Sequence, residues 1–420
     1  MKNRHISLSL IGILGILLMS CGSRPTSTPV VATSTPVPTV QPSATPAPTL
    51  WVAPYVPAEL SQSIVLPEGW GHADTSEAAT ARLEIGDQNV VSRWVYVLVA
   101  PFPTIIDDVT SGDVKSAWQG NPSPSFGSYL LMDQNTRDVF TAWWGEPAAS
   151  VVRVLPADKL VSTAWDDMTS WAIIPFEQIE PRWKVLSIDG SSPLRKEFDL
   201  NTYALSVPFS LSGGSLSLSA SNRDPNKLTT VITTGTTALV RRTAVMMEKK
   251  GVLYPGENIA SVLKNADITH ISNEIPFVEN CPNPVLNTAV LYEDSLVFCS
   301  DPKYIQLLES IGTDVVELTG DHFNDYGPQA MLNTLEMYKQ RGWKYYGGGV
   351  NLKEGLSPAT FTHNGNKIAF LGCNAKGGGY ATASATNPGA AACGYDTLHT
   401  EIEQLKQEGY VVIATFQHQE

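Results

Sequence analysis

From residue 228 onward, apolar and polar positions follow two periods that take turns. Residues 228–234, 267–272, 314–319 and 410–416 are short runs rich in apolar and β-branched side chains. Between them, residues 238–250, 259–265, 302–311 and 396–408 space their apolar positions as a helix does. Gly251, Gly312, Gly342 and Gly409 close helical stretches, and Pro328 opens one at the position where its missing N–H costs nothing. Residues 361–371 read as a hairpin, because Asn364-Gly365 supplies the positive φ angles of a type I′ turn between alternating strands. Strands alternating with helices predict a layered, largely parallel α/β domain over 228–420.

The pattern over 58–225 is less regular but still α/β. Residues 93–100, 170–175 and 183–190 are apolar strands, and Ser111-Gly112-Asp113 caps a short helix that ends near Gly120. Trp94, Trp118, Trp143, Trp144, Trp165, Trp171 and Trp183 fall here, and packing in a core explains them better than stacking on a sugar. Residues 201–227, rich in Ser and Leu with Gly213-Gly214 and Asp224-Pro225, read as a linker or an edge hairpin. The runs TSGDVKSAWQG and WAIIPFEQIEPRWKVLSIDG resemble one lobe of a periplasmic solute-binding protein.

Composition agrees with folded cores: of 420 residues, 43% are hydrophobic and 16% charged. A net charge of −13 with no Lys/Arg cluster to offset it argues against a nucleic-acid partner. The first 57 residues are different in kind. Lys2, Arg4 and His5 precede an apolar run at 6–18, which is short of the roughly 20 residues a membrane-spanning helix needs. Leu18-Met19-Ser20-Cys21 resembles a bacterial lipobox, which implies cleavage before Cys21, lipidation of its thiol and an extracytoplasmic protein anchored to the cell membrane. Residues 22–57, nearly all Pro, Thr, Ser, Ala and Val, are expected to form an extended tether.

With Cys21 lipidated, Cys281, Cys299, Cys373 and Cys393 are left, an even number in an exported chain. They allow three pairings, of which the sequence-near one, Cys281 with Cys299 and Cys373 with Cys393, is expected. Their spacings do not form a zinc knuckle.

Candidate chemistry gathers at the ends of the predicted strands. Residues 315–319 run into Gly320-Asp321-His322, and residues 267–272 run into Asn273-Glu274, so two acids and an imidazole stand at C-terminal strand ends, where open α/β sheets place their sites. Residues 266–276, ADITHISNEIP, residues 318–327, LTGDHFNDYG, and Tyr346-Gly347-Gly348-Gly349 resemble, in order and spacing, motifs of the CapA-type capsule synthesis family, also called poly-γ-glutamate biosynthesis proteins. That resemblance implies a metallophosphoesterase-like α/β sandwich over 228–420, ending truncated at residue 420, behind a smaller α/β domain over 58–225.

The resemblance further implies chemistry at a phosphate with two divalent ions such as Mn²⁺ or Mg²⁺. Glu274 and Asp321 would be ligands, His322 an acid or anion clamp, and Asp325 the group that orients His322. Implied partners are a capsule or polyglutamate polymer, the membrane proteins that assemble it, and membrane lipid through Cys21. Three positions depart from the family pattern. Asp321 stands where the pattern has Asn, which adds a charge back that could still bind a cation. Thr236 stands where a ligand Asp belongs, and Phe416 where a ligand His belongs, with His418 two residues on as a substitute on the same strand face. A site with ligands lost is equally open to a second reading, a non-catalytic module that binds an anionic polymer or a solute.

Overall fold

The computed structural model describes residues 46–418 apart from 125, 288–295, 377–378 and 380. The lipobox, Cys21, most of the expected tether and Glu420 therefore lie outside the described residues. No helix among the described residues is long and apolar enough to cross a membrane.

The first region is built on one mixed sheet. Its strands run in the order Gly71–His72, Thr49–Val52, Ala81–Ile85, Ser206–Ser212, Val90–Pro101, Trp171–Pro175, Leu130–Met132 and Val152–Val154, with Trp183–Val185 beside the far end of Val90–Pro101. Residues 94–100 of the long central strand are buried throughout, as expected of a strand covered on both faces. Trp94, Trp118, Trp171 and Trp183 are buried in this core and Trp165 is largely exposed, so most of the tryptophan content is packing.

Two stretches differ from their sequence reading. Thr49–Val52 lies inside the expected tether but pairs with two strands and buries Leu50 completely, because three consecutive bulky side chains, Leu50, Trp51 and Val52, suffice to add a strand to the sheet. Ser206–Ser212 lies inside the expected linker but sits between two strands of the sheet. Its serines mask a strand that is buried on both faces over Ser206–Phe209, with Leu211 buried beyond.

The second region stacks four layers. A parallel sheet runs Val231–Thr237, Ile268–Asn273, Val315–Glu317, Lys344–Tyr346. On one face Ile271, Val316 and Leu318 pack against helices Arg241–Lys250, Ile305–Ser310 and Gly327–Gln340. On the other face Ile268, Val315 and Tyr346 meet Ile368 and Phe370 of a second sheet, Ala359–His363, Asn366–Asn374, Tyr410–Gln417. The outer face of that second sheet, through Ala369, Leu371 and Cys373, packs on Leu398 and Leu405 of helix Tyr395–Gln407. The result is the expected α/β sandwich. The second sheet contains an antiparallel hairpin, whose Asn364 and Gly365 take the positive φ values of 48° and 81° that the Asn-Gly turn requires. The structure pairs Cys281 with Cys299 and Cys373 with Cys393.

Between the two sheets lies a buried polar chain. His270 Nε2 meets the Tyr346 hydroxyl at 2.8 Å, and that hydroxyl meets Thr415 Oγ1 at 2.9 Å, tying the parallel sheet to the second one. The His270 ring stacks on Phe370, and Glu317, itself buried, accepts a hydrogen bond from Thr319. Burial holds the His270 imidazole down to about 4, so the folded protein keeps it neutral where the unfolded chain protonates it. A depressed histidine contributes stability above its unfolded value of 6.5 and loses it as pH falls toward 4. That window corresponds to about 3 kcal/mol. Urea unfolding at pH 7 and pH 4.5 is expected to show a larger acid loss in the wild type than in His270→Gln, by about 2 kcal/mol; equal losses would remove His270 as the acid-sensitive group.

Candidate functional site

The site is assembled from strand ends of both sheets. Glu274 follows directly on Ile268–Asn273, and Asp321 and His322 lie in the loop after Val315–Glu317. One ligand atom from each of the three lies within 4.8 Å of the others, a group able to hold a metal ion. Close approach of the two loops depends on Gly320. A Cβ there would lie 2.6 Å from Glu274 Cγ and 3.0 Å from its Cα, so any side chain would displace the acid.

His322 is held from one side. Its Nδ1 lies 2.9 Å from Asp325 Oδ2, the same oxygen accepts the Phe298 N–H at 2.7 Å, and the Phe298 ring packs on the imidazole. The Asp325 side chain is fully buried, so the orientation it imposes is firm and Nε2 is the ring nitrogen left for the site. The Asp325 hydrogen bond raises the His322 pKa against the pull of burial, helped by the charges of Asp325, Asp321 and Glu274.

The two carboxylates divide in character. Burial raises Glu274, opposed by the His322 charge and reinforced by the neighbouring Asp321. Burial also pulls Asp321 upward, but the hydrogen bond from Lys376, with His322 beside it, brings it below the usual range. Lys376 Nζ lies 2.8 Å from Asp321 Oδ2. Asp321 Oδ1 is buried and has no hydrogen-bond partner among the described residues. An orphaned carboxylate oxygen beside a second carboxylate and an imidazole is a donor set that fits a divalent cation.

Sequence reading singled out Glu274, Asp321, His322 and Asp325, and the structure brings all four together. His418 is not a member of the group. Along Tyr410–Gln417 the odd positions Ile413 and Thr415 face the parallel sheet, and Gln417 continues that face, its Nε2 donating to Glu274 Oε1 at 3.1 Å. Phe416 and His418 do share a face, but it is the opposite one, and both are exposed. Alternation of two along the strand explains why Gln417 reaches Glu274 and His418 does not. Thr236, at the end of Val231–Thr237, is exposed and brings no carboxylate. Lys376 and Gln417 were missed; strand parity points to Gln417 once the inward face is known, whereas Lys376 lies in the loop after Asn366–Asn374 and carries no motif.

Residues 230–419 match the family described as bacterial capsule synthesis protein PGA_cap. Over 194 residues the chain is 25% identical to the capsule biosynthesis protein CapA of Bacillus anthracis, a match covering 44% of this chain and 44% of that protein. This segment belongs to the CapA-type capsule synthesis family. The chain thus spans less than half the length of the curated relative it matches. Among solved structures it is similar to an ABC-type phosphate transport receptor from Vibrio cholerae, at 12% identity and a TM-score of 0.30 over 42% of this chain and 88% of that one. It is also similar to PstS from Borrelia burgdorferi, at 10% identity and 0.31 over 39% and 85%. Scores this low decide nothing about function. The CapA-type segment contains every member of the group described above.

Replacing Asp325 by Asn removes the charge that favours the imidazolium, so the titration midpoint of His322, followed by NMR of its ring protons, is expected to fall. An unchanged midpoint would mean that Asp325 does not set the state of His322.

Proposed function

We propose that the CapA-type segment is a divalent-cation-dependent module for hydrolysis or transfer at a phosphate ester. In this reading it acts outside the cytoplasm in the assembly of a capsule or poly-γ-glutamate polymer, and the chain is held to the membrane by lipid on Cys21. The observation that carries the reading is the convergence of Glu274, Asp321 and the Asp325-held His322 at the C-terminal edge of the parallel sheet. Oxygen-rich donors suit Mn²⁺ or Mg²⁺. A bound divalent ion supplies polarisation of a phosphoryl oxygen and a more acidic water.

The chain's own residues do the rest. Glu274 and Asp321 hold the ion, with Gln417 fixing one oxygen of Glu274 by its amide. His322, its Nδ1 engaged by Asp325, presents Nε2 to donate a proton to the leaving oxygen or to clamp a phosphoryl oxygen. The acidic surface adds nothing to this chemistry and serves solubility.

A second reading, non-catalytic binding of an anionic polymer, is favoured by Thr236 and Phe416, which stand on exposed positions where the family resemblance implies ligands. A solute site in the first region gains no such support. The N-terminal end of helix Ser111–Trp118 already spends its amides on carboxylates, Ser111 N–H on Asp189 and Thr110 N–H on Asp113, which leaves little there for an anion.

With Mn²⁺ present, the protein is expected to hydrolyse bis(p-nitrophenyl) phosphate or the monoester, and His322→Ala to slow it by about 100-fold or more. Absence of turnover together with retention of poly-γ-glutamate would replace the catalytic reading by the binding one.

A further inference from the structure

The unusual feature of the site is that one of its charges is balanced from within. Lys376 projects from the loop after strand Asn366–Asn374 and places its ammonium 2.8 Å from Asp321 Oδ2, while Asp321 Oδ1 stays buried and unpartnered among the described residues. The loop is set by the side chain of Asn374, a buried residue whose Oδ1 accepts the Lys376 N–H at 2.9 Å. Asp321 is therefore split: one oxygen is committed to a fixed cation of this chain, and the other is open to a ligand.

We propose that Lys376 is an internal counter-cation which, by occupying the Oδ2 side of Asp321, limits the site to a single divalent ion, taken at Asp321 Oδ1 with Glu274. A second divalent ion on that side would sit within a few ångströms of a positive charge, in a part-buried place where repulsion is weakly screened. The exposed Thr236 and Phe416 fit this arrangement, since neither offers the charge or the imidazole that a second ion would require. Lys376 also places a donor beside the open oxygen, where a phosphoryl oxygen of a substrate would meet it, so the ammonium takes over the electrostatic share of the missing ion.

This inference rests on the cation-binding half of the proposed function and is independent of turnover. The test is Mn²⁺ binding by the whole protein, read by isothermal titration and by the loss of the free-ion signal in electron paramagnetic resonance. The wild type is expected to bind one Mn²⁺ per chain. Lys376→Gln is expected to bind Mn²⁺ about tenfold more tightly, or to take a second ion, whereas Lys376→Arg should behave as the wild type does. Lys376 is about one-third exposed and outside the core, so the Gln variant should fold, which its circular dichroism melt checks. Two ions per wild-type chain, or the same affinity in Lys376→Gln as in the wild type, would overturn the inference. No Mn²⁺ binding by either chain would overturn it together with the metal reading. One ion per chain without hydrolysis of any phosphate ester would leave the inference standing and remove the catalytic proposal alone.

Discussion

Two carboxylates brought together in a half-buried pocket repel each other, and the second region is arranged around the supply of positive charge to relieve them. Glu274 and Asp321 approach because Gly320 has no side chain. Around them stand a lysine, an imidazole with a raised pKa and an amide from the neighbouring sheet. Each comes from a different segment, two of them on the second sheet or the loop that follows one of its strands, so the balance exists only when both sheets are docked. The docking itself is carried by apolar contacts among Ile268, Val315, Ile368 and Phe370, and by the buried chain from His270 through Tyr346 to Thr415. Packing and site chemistry are therefore one structure: the layer that buries Phe370 is the layer that delivers Gln417 and Lys376.

Much of this architecture could be read from the sequence, where local chemistry is decisive. Asn364-Gly365 fixed a hairpin through backbone conformation alone, and the alternating periods located the strands and helices of the second region to within a few residues. The site loops were legible because an acid and an imidazole at a strand's end have few other reasons to be there. What stayed hidden depended on tertiary context. Thr49–Val52 and Ser206–Ser212 are strands within Pro-rich and Ser-rich surroundings, and only their partners make them so. The displacement of His418 by Gln417 turns on which face of the last strand points inward, a choice that the run of apolar residues at 410–416 leaves undetermined because both faces are covered in part. Lys376 left no local trace, since its role is defined by Asp321, 55 positions away.

The family assignment and the geometry support each other without being the same claim. Membership of the 230–419 segment in the CapA-type family rests on sequence, and says that the fold and its strand-end loops are shared. The geometry says what these particular residues bring together: two acids, one oriented imidazole and an orphaned oxygen. It also shows an ammonium set against Asp321 and an exposed face at Phe416 and His418. Such a site is organised, and the organisation is what a cation would use.

The most direct measurement is an anomalous diffraction map from crystals grown with Mn²⁺. A single peak bounded by Glu274, Asp321 and His322, with Lys376 still on the far oxygen of Asp321, is the predicted result. A map with no peak at that position, or with the ion bound through His418 instead, would contradict the account.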